Sequence, residues 1–186
     1  MKIISLIVKV MHKGLILILM IISMTINPVL SLELTGRVYY TVETARTEAF
    51  SNIPLSINIS DYASYFSDPN YIANKKAINK KKAYFRDRYL TFFSSGEYGV
   101  IYKNNKSISY YYDKNGKLES ISFLINKSYP IKVVKYDKHG KLDSTALAVS
   151  SRESYVFDTN KKFISHWKGN NCYNENGELI ITREKK

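Results

Sequence analysis

Tyr112-Asp113-Lys114-Asn115-Gly116-Lys117-Leu118-Glu119-Ser120 is followed by a near copy of itself, Tyr136-Asp137-Lys138-His139-Gly140-Lys141-Leu142-Asp143-Ser144. Two eroded versions come later, Phe157-Asp158-Thr159-Asn160-Lys161-Lys162-Phe163 and Tyr173-Asn174-Glu175-Asn176-Gly177-Glu178-Leu179. Each copy sets an aromatic residue before an Asp or Asn and an apolar residue just after the turn. The carboxylate can accept hydrogen bonds from backbone N–H groups ahead of it, and glycine supplies the positive φ of a type I turn that closes with a bulge. Asp113, Gly116, Asp137, Gly140 and Gly177 therefore read as turn formers, and the phrase predicts hairpin after hairpin. The third copy has Lys161 where the others have glycine, so a longer or distorted turn is expected there.

Working outward, β-branched and aromatic runs flank these turns. Strands are expected over Tyr89 to Phe93, Tyr98 to Tyr102, Ser107 to Tyr112, Leu118 to Ile125, Ile131 to Tyr136, Leu142 to Val149, Ser154 to Phe157, Phe163 to Trp167 and Leu179 to Thr182. Ser94-Ser95-Gly96-Glu97 is a further hairpin connection. Ile121, Phe123 and Ile125 alternate with Ser120 and Ser122, which predicts one dry and one wet face. Upstream, Asp68 before Pro69 predicts a helix start, and a helix is expected from Pro69 to Lys82. Ile78, Phe85 and Tyr89 would seat one face of that region on the sheet. Thr44 to Phe50 predicts a second short helix, and Ile57-Asn58-Ile59 a short strand. The fold class is α+β: an antiparallel β-meander of repeated hairpins with short N-terminal helices. Residues 32–88 are its N-terminal helical segment and 89–186 its hairpin-repeat region, in one domain.

Lys2, Lys9 and Lys13 precede an apolar run from Leu15 to Ile26, and Val29-Leu30-Ser31 suits a signal peptidase. Residues 1–31 are expected to be a signal peptide cleaved after Ser31, giving an exported protein, periplasmic or secreted, with no membrane span after cleavage. The run falls short of the roughly 20 residues that a spanning helix needs, and an uncleaved N-terminal anchor is the alternative. Met11 is an alternative start. The remaining chain of about 155 residues suits one domain with a substantial core. The single cysteine, Cys172, cannot form an internal bridge. It reads as a small buried residue, with a reactive or intermolecular thiol as the alternative.

Lys and Arg outnumber Asp and Glu by 28 to 16, a formal net charge of +12, which draws the chain to anionic surfaces. Lys75, Lys76, Lys80, Lys81, Lys82, Arg86 and Arg88 form the densest basic cluster, an anionic-surface patch or simply a solvated helix face. Such a cluster suits a phosphate backbone, but export argues against nucleic acid as a partner. An anionic glycan, a cell-envelope polymer or another envelope protein fits better.

Tyr-Asp-x-x-Gly-Lys-Leu, with alternating small and apolar residues after it, resembles the YD repeats of the Rhs and toxin-complex families. Those repeats imply β-hairpins in series, wound by dozens of copies into a hollow shell. Two good and two eroded copies at unequal intervals cannot build one. Ile164 to Trp167, Gly169 to Tyr173 and Glu43-Thr44-Ala45-Arg46 also resemble small exported proteins of cyanobacteria, a likeness that implies no activity.

No reaction is signalled. The chain lacks Gly-x-Ser-x-Gly, His-Glu-x-x-His, a phosphate loop and paired cysteines, its carboxylates lie one per turn without a calcium loop, and neither metal nor cofactor is expected. Beyond the leader there are two histidines. His139 occupies a turn, whereas His166 stands beside Trp167 in a strand. His166, Trp167, Asn170, Asn171 and Tyr173 are the densest polar and aromatic cluster and the predicted ligand site. Tyrosines on a sheet can stack sugars, although most aromatics in sheets pair across strands. The expected function is an exported non-enzymatic binding or envelope-associated protein. The alternatives are a small hydrolase assembled around His166 and a structural module that docks another protein through a sheet edge.

Overall fold

The computed structural model describes residues 40–63, 66–80, 83 and 85–182. The expected signal peptide with its expected cleavage after Ser31, and Lys81 and Lys82 of the basic cluster, lie outside the described residues. Ten strands form one antiparallel sheet in strict chain order. They are β1 Arg88–Phe92, β2 Tyr98–Tyr102, β3 Asn105–Tyr112, β4 Leu118–Leu124, β5 Ile131–Asp137, β6 Leu142–Ser150, β7 Glu153–Asp158, β8 Phe163–Lys168, β9 Asn171–Asn174 and β10 Leu179–Thr182. Two short helices precede them, α1 Val42–Phe50 and α2 Tyr71–Asn79. The molecule is mostly β, in keeping with an α+β meander. Among the described residues no helix is long and apolar enough to cross a membrane.

One turn recurs at one end of the sheet. In Asp113–Lys117 the first N–H donates to the fifth carbonyl at 2.8 Å and the fourth N–H to the first carbonyl at 3.0 Å. Asp113 Oδ1 accepts from the Asn115 and Lys117 amides, both at 2.8 Å. Asp137–Lys141, Asp158–Lys162 and Asn174–Glu178 repeat all of these bonds. Phe93–Glu97 repeats the backbone bonds with a phenylalanine in the acid's place. The flanking residues pair identically each time, as Phe92 with Tyr98, Tyr112 with Leu118, Tyr136 with Leu142, Phe157 with Phe163 and Tyr173 with Leu179. The turn at Lys161 is not distorted, contrary to expectation. Lys161 takes the left-handed conformation itself, at φ 63°, because the Asp158 carboxylate already fixes the loop on both sides.

The N-terminal segment crosses one face of the sheet against chain order. Thr41 caps α1 with a reciprocal Thr44 bond, and Ala45 and Ala49 pack on Leu147, Tyr155 and Phe157. Ser56 then forms an antiparallel bridge with Lys141, and Ser67 one with Lys117. Ile59, Ala63 and Ala77 cover Val100, Leu118, Ile121, Val134 and Tyr136. The expected strand at Ile57 to Ile59 amounts to the single bridge at Ser56 followed by a 3-10 turn, Ile59–Asp61. α2 starts later than expected: its N-cap is Asn70, and Asp68 accepts the Asn70 amide at 2.8 Å from outside the helix. Ile78 and Phe85 pack on the covered face, whereas Tyr89 belongs to the opposite face with Ile101 and Tyr111.

That opposite face is dry, which corrects the expectation of a wet one. Ser109, Ser120, Ser122, Ser144, Ser154 and Ser165 are buried, beside Ile131, Val133, Ala146, Val156, Trp167 and Cys172. Serine counts as polar in an alternation pattern, yet its one hydroxyl is small and cheap to bury. Ser122 Oγ donates to the Tyr111 hydroxyl at 3.2 Å, whereas the hydroxyls of Ser154 and Ser165 are buried without a partner among the described residues.

Candidate functional site

The pleat divides the predicted cluster. His166 pairs with Tyr173, Trp167 with Cys172 and Lys168 with Asn171, and directly opposed residues share a face. His166, Tyr173 and Asn171 therefore stand together, while Trp167 points to the other side and is 2 % exposed among Val156 and Cys172. Asn170 sits in the exposed β8–β9 turn.

On the His166 face, Nε2 lies 2.9 Å from Glu153 Oε1, and the ring stacks on Tyr155 at 4.4 Å and 10°. Tyr155 Oη reaches the same carboxylate oxygen and the Tyr40 carbonyl, each at 3.0 Å. Burial and the Glu153 contact hold that phenol well above its ordinary range. Beside it Asn171 Nδ2 donates to Tyr173 Oη at 3.2 Å, and Thr182 Oγ1 donates to Asn171 Oδ1 at 3.0 Å. A histidine oriented by a carboxylate is half of a nucleophilic device. Among the described residues no hydroxyl or thiol nucleophile is hydrogen-bonded to that ring, and Cys172 faces the other way. His139 is a turn residue whose amide donates to Asp137 Oδ1 at 2.8 Å.

The basic cluster also separates. Lys75, Lys76, Lys80 and Arg86 are exposed, but Arg88 is 5 % exposed and belongs to the core. Its Nε donates to Asn74 Oδ1 at 2.8 Å, its Nη1 pairs with Asp87 at 2.8 Å, and the guanidinium lies 3.8 Å from the Phe85 ring centre. Asn74 and Tyr98 in turn donate to Asp68 Oδ2 at 2.7 and 2.6 Å. This buried polar knot fastens α2 to β1 and β2. A charge removed from water is tolerated only with such a full set of partners.

Two pockets accompany these groups. A cavity of about 510 Å³ opens between the β2–β3 turn and the β4–β5 loop. Lys103, Asn104, Asn105, Lys106 and Lys127 line it above Leu124 and Ile131, and no carboxylate takes part. Lys103 Nζ is held by the Phe85 carbonyl at 2.9 Å and lies over the Tyr89 ring. Sequence reading passed over this site, although Lys103-Asn104-Asn105-Lys106 was visible as a basic and amide-bearing turn. The second pocket, about 310 Å³, surrounds Lys132. Its ammonium donates to the Ser51 carbonyl at 2.9 Å and to Ser51 Oγ at 2.6 Å, with Glu48 at 3.8 Å. Burial lowers its pKa and Glu48 opposes the shift. With those partners Lys132 ties the C-terminus of α1 to β5.

Among the described residues no group of three or more His, Cys, Asp or Glu side chains is placed to hold a metal ion. Compared with protein-family models, curated proteins and solved structures, the chain matches none of them.

Proposed function

We propose that the protein is an exported, non-enzymatic binding component of the cell envelope whose ligand is an anionic glycan or envelope polymer. The observation that carries this reading is the cavity at Lys103, Lys106 and Lys127. Its ammonium groups attract carboxylate or phosphate, Asn104 and Asn105 offer paired donors and acceptors to hydroxyls, and Leu124 and Ile131 supply the apolar floor on which a sugar ring rests. The leader points the same way, and so does the excess of Lys and Arg over Asp and Glu that remains once Lys2, Lys9 and Lys13 of the leader are set aside.

Binding of oligogalacturonate, measured by calorimetry against its neutral methyl ester, tests this. The double change Lys106→Glu with Lys127→Glu is expected to weaken binding at least tenfold, about 1.4 kcal/mol. The charge-matched pair Lys75→Glu with Lys76→Glu on α2 should leave it within about twofold, since those exposed side chains do not line the cavity and water and salt screen them from it. Equal losses from both pairs would reduce the reading to general charge attraction and sink it. A hydrolase around His166 has one observation in its favour, the Glu153 contact. Turnover lost in His166→Ala and kept in His139→Ala would replace the binding reading.

A further inference from the structure

Three of the five turns end in glycine, any residue and leucine: Gly116-Lys117-Leu118, Gly140-Lys141-Leu142 and Gly177-Glu178-Leu179. The first two each hold an extended tripeptide of the N-terminal segment by the same pair of bonds. Asp68 N–H donates to the Gly116 carbonyl at 2.7 Å and Leu118 N–H to the Phe66 carbonyl at 2.9 Å. Ile57 N–H donates to the Gly140 carbonyl at 2.8 Å and Leu142 N–H to the Leu55 carbonyl at 2.9 Å. Both tripeptides read large apolar residue, serine, next residue: Leu55-Ser56-Ile57 and Phe66-Ser67-Asp68.

The glycine at Gly140 answers to the docked chain as well as to φ. A Cβ there would stand 2.1 Å from the Ile57 carbonyl oxygen. The turn at Asp158–Lys162 holds no tripeptide among the described residues, and there Lys161 replaces glycine without loss of the turn. Gly177 keeps glycine at φ 77°, and a Cβ on it would meet nothing within 4 Å. Leu179, 57 % exposed, pairs with Tyr173 as Leu118 pairs with Tyr112, so its N–H points away from β9 along the outer edge of the sheet. Among the described residues neither that N–H nor the Gly177 carbonyl has a hydrogen-bond partner.

We infer that Gly177-Glu178-Leu179 is a third rung of the same kind and that it takes an extended segment of a partner protein, added antiparallel to the edge of β10. The two filled rungs define the occupant: a large apolar residue contributes its carbonyl, and the residue two places on contributes its N–H. Serine stands opposite Lys117 and Lys141 in those rungs. Glu178 stands in their place here, so the middle residue of the partner is basic, because opposite charges directly across a strand pair attract. Backbone bonds give such a contact its hold and the alternate side chains its selectivity. This surface is separate from the lysine-lined cavity, and its failure would leave the glycan reading intact.

The test uses 15N-labelled protein and a blocked hexapeptide copied from Leu55–Ser60 with lysine in place of Ser56. Amide shifts at Glu178 and Leu179 are expected on titration to millimolar peptide. N-methylation of the peptide's third residue should abolish them, and Glu178→Lys should weaken binding at least threefold. Leu179→Pro, which removes the N–H on an edge strand, should abolish binding. No shift at Leu179, a shift that survives N-methylation, or shifts at Leu118 and Leu142 instead would overturn the inference. So would a concentration-dependent Leu179 shift without peptide, which would assign the edge to a second copy of the chain.

Discussion

The turns at Asp113–Lys117 and Asp137–Lys141 share their backbone with those at Asp158–Lys162 and Asn174–Glu178, but among the described residues only the first two are clasped by the N-terminal segment. The comparison separates what a turn needs from what its surroundings need. The Asp or Asn side chain and two backbone bonds build all four turns, with or without glycine. Glycine gains a second reason at the clasped turns, because the Ile57 carbonyl lies over the α-carbon of Gly140 and the Tyr71 ring over that of Gly116.

The largest effect expected is at Gly140. Gly140→Ala adds a clash with the Ile57 carbonyl to the strain of positive φ and should cost about 3 kcal/mol or more, whereas Gly177→Ala should cost only the strain, about 1 kcal/mol. Chemical denaturation checks the pair, and equal costs would break the distinction. Next comes Asp68→Ala, which leaves the Tyr98 hydroxyl and Asn74 amide buried without their acceptor. It should cost about 2–3 kcal/mol and detach the clasped region first, visible as faster amide exchange at Leu118 than at Phe163.

Alkaline pH should act on the same region. Burial raises the phenols of Tyr98, Tyr112 and Tyr136, the last to about 12. A raised folded value means that the unfolded chain loses its protons first, so this stability is complete below pH 10 and falls as pH rises from 10 towards 12. Absorbance of tyrosinate at rising pH should show these three titrating only as the clasped region opens. The smallest effect expected is a gain. Lys161→Gly relieves a positive φ and should stabilise by about 0.5 kcal/mol, unless the loss of the Lys161 contact over Phe50 offsets it.

The hairpins were legible because each turn is made by residues inside it. Phe93–Glu97 was legible too, from Gly96 and the aromatic runs on either side, although Phe93 has no carboxylate. β9 was harder for the opposite reason: Asn171-Cys172-Tyr173-Asn174 has neither length nor alternation and is a strand because β8 and β10 flank it. The division of the predicted site was within reach of sequence reasoning, since adjacent strand residues such as His166 and Trp167 must face opposite ways. Glu153 as the partner of His166 was not, because it comes from β7 at a register fixed by the hairpin. Arg88 looked like the end of a basic run, and only its contacts with Asn74, Asp87 and Phe85 show it to be interior.

Three sheet tyrosines tether the N-terminal segment in reverse order: Tyr110 to Tyr62, Tyr136 to Pro54 and Tyr155 to Tyr40, across 48, 82 and 115 residues. These loops are nested, so each closure after the innermost has only a modest extra length of chain to immobilise, and closure entropy grows slowly with length. Assembly can run like a zip fastener from the innermost tie outward, and the part of the chain made first is the part locked last.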